Sequence, residues 1–141
     1  MARRPKAIVL DSWAVLAYLG DEAASHEVAE LLADAHEHRT PLLMTTVNAG
    51  EVWYILAREA SDADANRAIS DLQTLGLEFI DADWDLTKRA AAIKAKHRMS
   101  YADCFAAALA AQHKAELATG DFEFKQVEEF VTILWLRKQT A

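Results

Sequence analysis

The chain has 141 residues, 52% of them hydrophobic and 26% charged, with 4 Gly, 2 Pro and 1 Cys; a disordered, collagen-like or low-complexity chain is excluded, and one domain of ordinary size remains. A formal charge of −7, from 22 acidic against 15 basic residues, excludes bulk coating of nucleic acid or of an anionic membrane, so any nucleic-acid contact must be local. The longest apolar run, Cys104 to Ala111, is far below the roughly 20 residues that cross a bilayer, no apolar signal core follows the basic start, and one cysteine supplies neither an internal disulfide nor a thiolate zinc site; the expectation is a soluble cytoplasmic protein without membrane contact or structural zinc.

In chain order, Arg3, Arg4 and Lys6 solvate a fraying end, and Ala7-Ile-Val-Leu10 is the first short apolar run, closed by Asp11. Val28, Leu31, Leu32 and Ala35 then keep helical spacing up to a polar helix end holding His36 and His38. Leu42-Leu-Met-Thr45 is the second run, and a helix beginning near Thr46 to Asn48 follows, whose Val52, Tyr54, Ile55 and Leu56 offer an apolar face for dimerisation. Ala65, Ala68, Ile69 and Leu72 mark another helix, with Gly76 placed to end it. After the third run, Leu77-Glu-Phe-Ile80, the residues Leu86, Ala90 and Ile93 repeat the helical pattern. Ser100 opens a helix on which Phe105, Leu109 and Gln112 interleave with Ala102, Ala106 and Ala110, small residues that predict the most buried helix of the chain. Glu116-Leu-Ala-Thr119 and Val131-Thr-Ile-Leu134 complete the strands.

Most of these runs lack the alternation of a sheet with one wet face, so both faces are covered. Strands alternating with helices predict an α/β domain over residues 1–141, with a parallel sheet of about five strands between helical layers. In such sheets ligands bind beyond the carboxyl ends of the strands. Asp11 directly follows the first strand, Glu51 lies early in the helix after the second, Asp103 is in the first turn of the helix opened by Ser100, and Asp121 follows the fourth strand after one glycine. Taken singly, each has an ordinary role as a helix cap or part of a capping box. Taken jointly, four converging carboxylates repel one another unless a cation neutralises them, and oxygen donors without histidine or cysteine select Mg²⁺ or Mn²⁺. Such a site serves phosphodiester hydrolysis, in which a bound metal activates water and a second ion can stabilise the leaving oxygen. Ser12 and Thr119 carry hydroxyls beside these acids, and Asn48 is read first as a helix cap.

Val9-Leu-Asp11-Ser-Trp-Ala-Val-Leu-Ala-Tyr-Leu19, Asn48-Ala-Gly-Glu51-Val-Trp-Tyr-Ile-Leu56, Ser100-Tyr-Ala-Asp103-Cys-Phe-Ala-Ala-Ala108 and Ala118-Thr-Gly-Asp121-Phe-Glu-Phe124 together resemble a PIN-domain ribonuclease, and more closely the VapC-type toxins of toxin–antitoxin pairs. The resemblance implies a three-layer α/β/α domain and a homodimer. It implies Mg²⁺ or Mn²⁺ on Asp11, Glu51, Asp103 and Asp121, RNA cleavage leaving a 5′-phosphate, and a cognate antitoxin whose basic segment suits an acidic toxin. One departure concerns the turn after the last acid, where members often carry proline and this chain carries Phe122.

Lys94, Lys96, His97 and Arg98 form the densest basic patch, placed either to steer RNA or to settle a helix C-terminus. Trp13, Trp53, Trp84 and Trp135 are read as core or dimer contacts, and Cys104 as a small buried hydrophobe. The leading reading is thus a metal-dependent endoribonuclease acting as a type II toxin. The competing readings are a housekeeping PIN nuclease in RNA maturation and a non-catalytic protein- or RNA-binding module. An aspartyl-phosphate domain fits less well, since Asp11-Ser12-Trp13 has no second acid beside it.

Overall fold

The computed structural model describes residues 4–136. In these, five strands, β1 (Ile8–Leu10), β2 (Leu42–Thr45), β3 (Leu77–Ile80), β4 (Glu116–Thr119) and β5 (Thr132–Trp135), alternate with helices. The helices are α1 (Ser12–Leu19), α2 (Ser25–His38), α3 (Thr46–Glu59), α4 (Asp62–Thr74), α5 (Trp84–Lys96) and α6 (Tyr101–His113), and a 3₁₀ helix, Phe122–Val127, joins β4 to β5. Each apolar run forms a strand within a residue of its expected bounds because both sides of the run find cover. Ala7 and Val9 enter one apolar cluster with α5 and α6, while Ile8 and Leu10 enter another with α1 to α4. The result is the expected three-layer α/β/α architecture.

Every strand pair is parallel, and the order is β3-β2-β1-β4-β5. The chain starts in the middle of the sheet, builds outward to β3, then returns to the free side of β1 and builds outward again. Connections therefore leave β1 and β4 toward opposite edges, and a crevice is expected at the carboxyl ends of these two strands. In register, Leu10 stands beside Ala118, so the next residues, Asp11 and Thr119, meet at that point.

α6 is buried over eight consecutive residues, Asp103 to Ala110, and its alanines let it lie against β1, β2 and β4. Caps at α1 (Asp11), α3 (Thr45), α4 (Ser61), α5 (Asp83) and α6 (Ser100) satisfy backbone donors that the first helical turn leaves over. Asn48 is therefore not the cap it was expected to be. Thr45 takes that role, because the strand ends on a hydroxyl in extended conformation directly before the helix. Gly76 lies just past α4 with φ +103, a left-handed backbone that glycine adopts without strain. Arg4 does not simply solvate an end, since it pairs with Asp34 at 3.0 Å; Arg3 lies outside the described residues. On α3, Val52 is fully buried and Leu56 packs into the core, which leaves Tyr54, 42% exposed, and the half-buried Ile55 as the open part of the supposed dimer face. No helix among the described residues is long and apolar enough to cross a membrane.

Candidate active site

At the carboxyl end of β1, Asp11 is 1% exposed and both its oxygens are engaged. Oδ1 accepts from the Ala14 N–H at 2.9 Å, capping α1, and Oδ2 accepts from the Thr119 hydroxyl at 2.5 Å. Thr119 Oγ1 in turn accepts the Asp121 N–H at 3.0 Å, and Asp121 Oδ1 accepts from the Glu123 N–H at 2.9 Å. A continuous relay thus fixes two acids from different strands. Each oxygen keeps a second lone pair, so capping and metal binding do not compete. Burial foremost, together with the charges of Asp103 and Asp121, pushes the Asp11 carboxyl from 3.8 up to about 7, while bonds from Thr119 and Ala14 pull the other way.

Asp103 is set by a capping arrangement that is only half closed. The Ser100 hydroxyl accepts the Asp103 N–H at 3.2 Å, but the Ser100 N–H donates to Glu123 Oε1 at 2.5 Å. In a closed box that donor would hold the Asp103 carboxylate; here Glu123 takes the role and Asp103 is left to face the other acids. Carboxylate oxygens of Asp103, Asp121 and Glu123 all lie within 4.8 Å of one another. Burial first, then the charge of Asp121 with smaller contributions from Glu123 and Glu51, raises the Asp103 carboxyl to about 7, against a lowering hydrogen bond from Ser100.

Glu51, half-buried in the second turn of α3, reaches this group through its charge on Asp103. The α3 start is locked by Asn48, which is fully buried. Thr45 Oγ1 donates to Asn48 Oδ1 at 2.5 Å, and Asn48 Nδ2 donates to the Ala102 carbonyl at 3.1 Å, joining α3 to the first turn of α6. Ser12 donates to the Asn48 carbonyl at 3.2 Å, so it braces this joint instead of touching a carboxylate. Of the hydroxyls and amides proposed beside the acids, Thr119 bonds Asp11 directly, and Asn48 and Ser12 act on the backbone.

Asp11, Glu51, Asp103 and Asp121 are therefore brought into one electrostatic group, and Glu123 joins it. Glu123 was not singled out from the sequence; it joins because its carboxylate is drawn to the Ser100 N–H at the start of the Asp103 helix, a contact made only in the fold. The donor set is all carboxylate oxygen, without histidine or cysteine, and it holds charge reluctantly; a hard divalent cation fits it on both counts. A second group with ligating chemistry, Asp34, Glu37 and His38, is exposed on α2, and its Asp34 already holds Arg4.

The basic patch lies against the same region. Lys94 Nζ donates to the Met99 carbonyl at 2.6 Å, and the Arg98 N–H and carbonyl both bond the Gln126 amide on the 3₁₀ helix. Lys96 is exposed. Trp13 packs on Gly120, where a β-carbon would run into the indole, and Trp53 donates to Asn66, tying α3 to α4. Trp84 departs from the core reading, standing 71% exposed at the start of α5. Cys104 is fully buried, and burial pushes its thiol up to about 11, which suits an inert hydrophobe.

The family model for the PIN domain matches residues 8–130. Among solved structures, the chain is similar to VapBC2 from Rickettsia felis bound to a promoter DNA fragment, at 17% identity over 93% of this chain and 99% of that one, with TM-score 0.71. It is similar to VapC20 from Mycobacterium tuberculosis at 20% identity, 86% and 95% coverage and TM-score 0.68. A toxin–antitoxin complex from Klebsiella pneumoniae matches at 15% identity, 94% and 100% coverage and TM-score 0.69. At these identities the similarity shows a shared fold. No curated protein matches the chain significantly in sequence.

Proposed function

Because this chain belongs to the PIN-domain family, we propose that it is a metal-dependent endoribonuclease, a single nuclease domain that acts as the toxin of a type II toxin–antitoxin pair and is neutralised by a cognate antitoxin. The observation that carries this reading is the gathering of Asp103, Asp121 and Glu123 oxygens within 4.8 Å, coupled to Asp11 and Glu51, at the sheet's switch point. Asp11, Glu51, Asp103 and Asp121, with Glu123 beside them, would hold Mg²⁺ or Mn²⁺, which supplies Lewis acidity toward water and the phosphodiester. The chain's own groups do the positioning: Thr119 orients Asp11, Asn48 holds the Glu51 helix against the Asp103 helix, and Glu123 anchors Ser100. Lys94, Lys96 and Arg98 supply local positive charge for the RNA backbone in a chain whose net charge of −7 repels it. Similar folds support the toxin role, since one belongs to a protein described as a sarcin–ricin loop cleaving toxin and another to a toxin–antitoxin complex.

The test is cleavage of total cellular RNA by antitoxin-free protein in Mg²⁺, in Mn²⁺ and in chelator, beside an Asp103→Asn protein purified identically. Metal-dependent fragments with 5′-phosphates, absent in the variant, are expected. Equal inertness of two folded proteins would overturn the nuclease reading and leave a binding module.

A further inference from the structure

Phe122 is the first residue of the 3₁₀ helix, lies between Asp121 and Glu123 in the chain, and is 66% exposed. The core has no use for it, because the apolar side of that short helix is filled by Phe124 and Val127, both fully buried. The ring is nonetheless ordered by two neighbours. Trp135 lies beside it, with ring centroids 5.7 Å apart and planes tilted by 37°, and the Lys125 ammonium sits 5.3 Å from the Phe122 centroid. Trp135 is itself fixed, being paired in register with Thr119 and donating its indole N–H to Glu128 at 3.2 Å. A largely exposed aromatic ring, a cation over it and a carboxylate cluster thus meet at the carboxyl end of β4 and β5.

We infer that Phe122, backed by Trp135 and flanked by Lys125, is the stacking platform for an unpaired nucleobase of the substrate next to the cleaved phosphate. The inference rests on the ribonuclease reading of the acid site. Phe122 joins Asp121 to Glu123, two members of the acid group, and its ring partner Trp135 is in register with Thr119, which bonds Asp11, so the ring stands on the rim of the acid site. The combination selects a nucleotide by its three parts: an aromatic face for the base, Lys125 and the Arg98 loop tied on by Gln126 for phosphates, and carboxylates for the metal. It selects single strands, because a base inside a duplex offers no free face.

The experiment measures anisotropy of a short fluorescein-labelled single-stranded RNA in Mg²⁺, with Asp103→Asn present throughout to prevent cleavage. Phe122→Ala and Phe122→Leu are expected to weaken binding about 10-fold, the size of one lost base–aromatic stack, while Phe122→Trp retains it. Mn²⁺ affinity measured without Asp103→Asn should be the same for Phe122→Ala as for the parent, which reports an intact acid site. Unchanged RNA affinity in the alanine variant, or full retention by leucine, overturns the platform while leaving a cleaving enzyme as it was. Loss of self-association in Phe122→Ala would also overturn it, reassigning the ring to a contact between copies. Absence of RNA binding by the parent would sink both the platform and the ribonuclease reading.

Discussion

Asp11 and Asp103 hold their protons up to about pH 7 in the native chain, against 3.8 for an ordinary aspartate. Between those values the native state binds more protons than the unfolded chain, so metal-free stability falls as pH rises from about 4 to about 7 and then levels off. Thermal unfolding in chelator should accordingly show a lower Tm at pH 8 than at pH 6, and Mn²⁺ should raise the pH 8 value as any native-state ligand does. A metal-free Tm that climbs toward pH 8 would contradict the assigned burial and crowding. Asp103→Asn separates the two roles of that carboxylate: at pH 8 without metal it should unfold a few degrees above wild type, since a repelling charge is gone. RNA cleavage in the same variant should fall by more than the about 10- to 100-fold that loss of a merely supporting group costs. Thr119→Val is such a supporting change. It removes the bond to Asp11 and the acceptor for the Asp121 N–H, and metal affinity by calorimetry should weaken about 10- to 100-fold. The four strand-end acids were legible in the sequence because a parallel sheet sends every carboxyl end to one edge. The roles of Asn48, Ser12 and Glu123 were not, because each depends on a partner brought near by the fold: Ala102 for Asn48, Asn48 itself for Ser12, and Ser100 for Glu123.

At the scale of elements, the turn from β4 into the 3₁₀ helix sets the spacing between Thr119 and Asp121. Gly120 is required there by the indole of Trp13, which lies where a β-carbon would stand. Gly120→Ala should therefore cost about 1–3 kcal/mol, the usual penalty of overpacking, and shift Asp121 relative to Asp11. Denaturant unfolding reads the first effect and metal titration the second; a variant with wild-type values in both would mean that the indole moves aside freely. The same turn shows what pattern reading can and cannot deliver. Five strands were placed almost to the residue because runs such as Leu42 to Thr45 are apolar on both faces and too short for a helix. The 3₁₀ helix left no periodic signal, since six residues give only two turns, and the departure at Phe122 therefore looked like a doubtful turn instead of an exposed ring.

Across the whole molecule, strand order was beyond the sequence because parallel strands carry no register marks, yet that order puts β1 beside β4 and so makes the site. Charge is the other property that only the whole chain displays. A protein of −7 with five acids at its centre repels an RNA backbone over most of its surface, so on the proposed reading attraction comes from a few cations: Lys94 and Lys96 in the last turn of α5, Arg98 between α5 and α6, and Lys125 on the 3₁₀ helix. If two to four of them meet phosphates, the logarithm of RNA affinity should fall with the logarithm of monovalent salt at a slope of about −1.5 to −3, given roughly −0.7 per phosphate on a single strand. Anisotropy across a potassium chloride series at fixed Mg²⁺ measures this slope. Arg98→Ala should flatten it by about 0.7 without changing the metal affinity of the acids. A slope much steeper than −3 would require a longer basic track than the described residues present beside the acids, and would place the RNA on a surface other than this crevice.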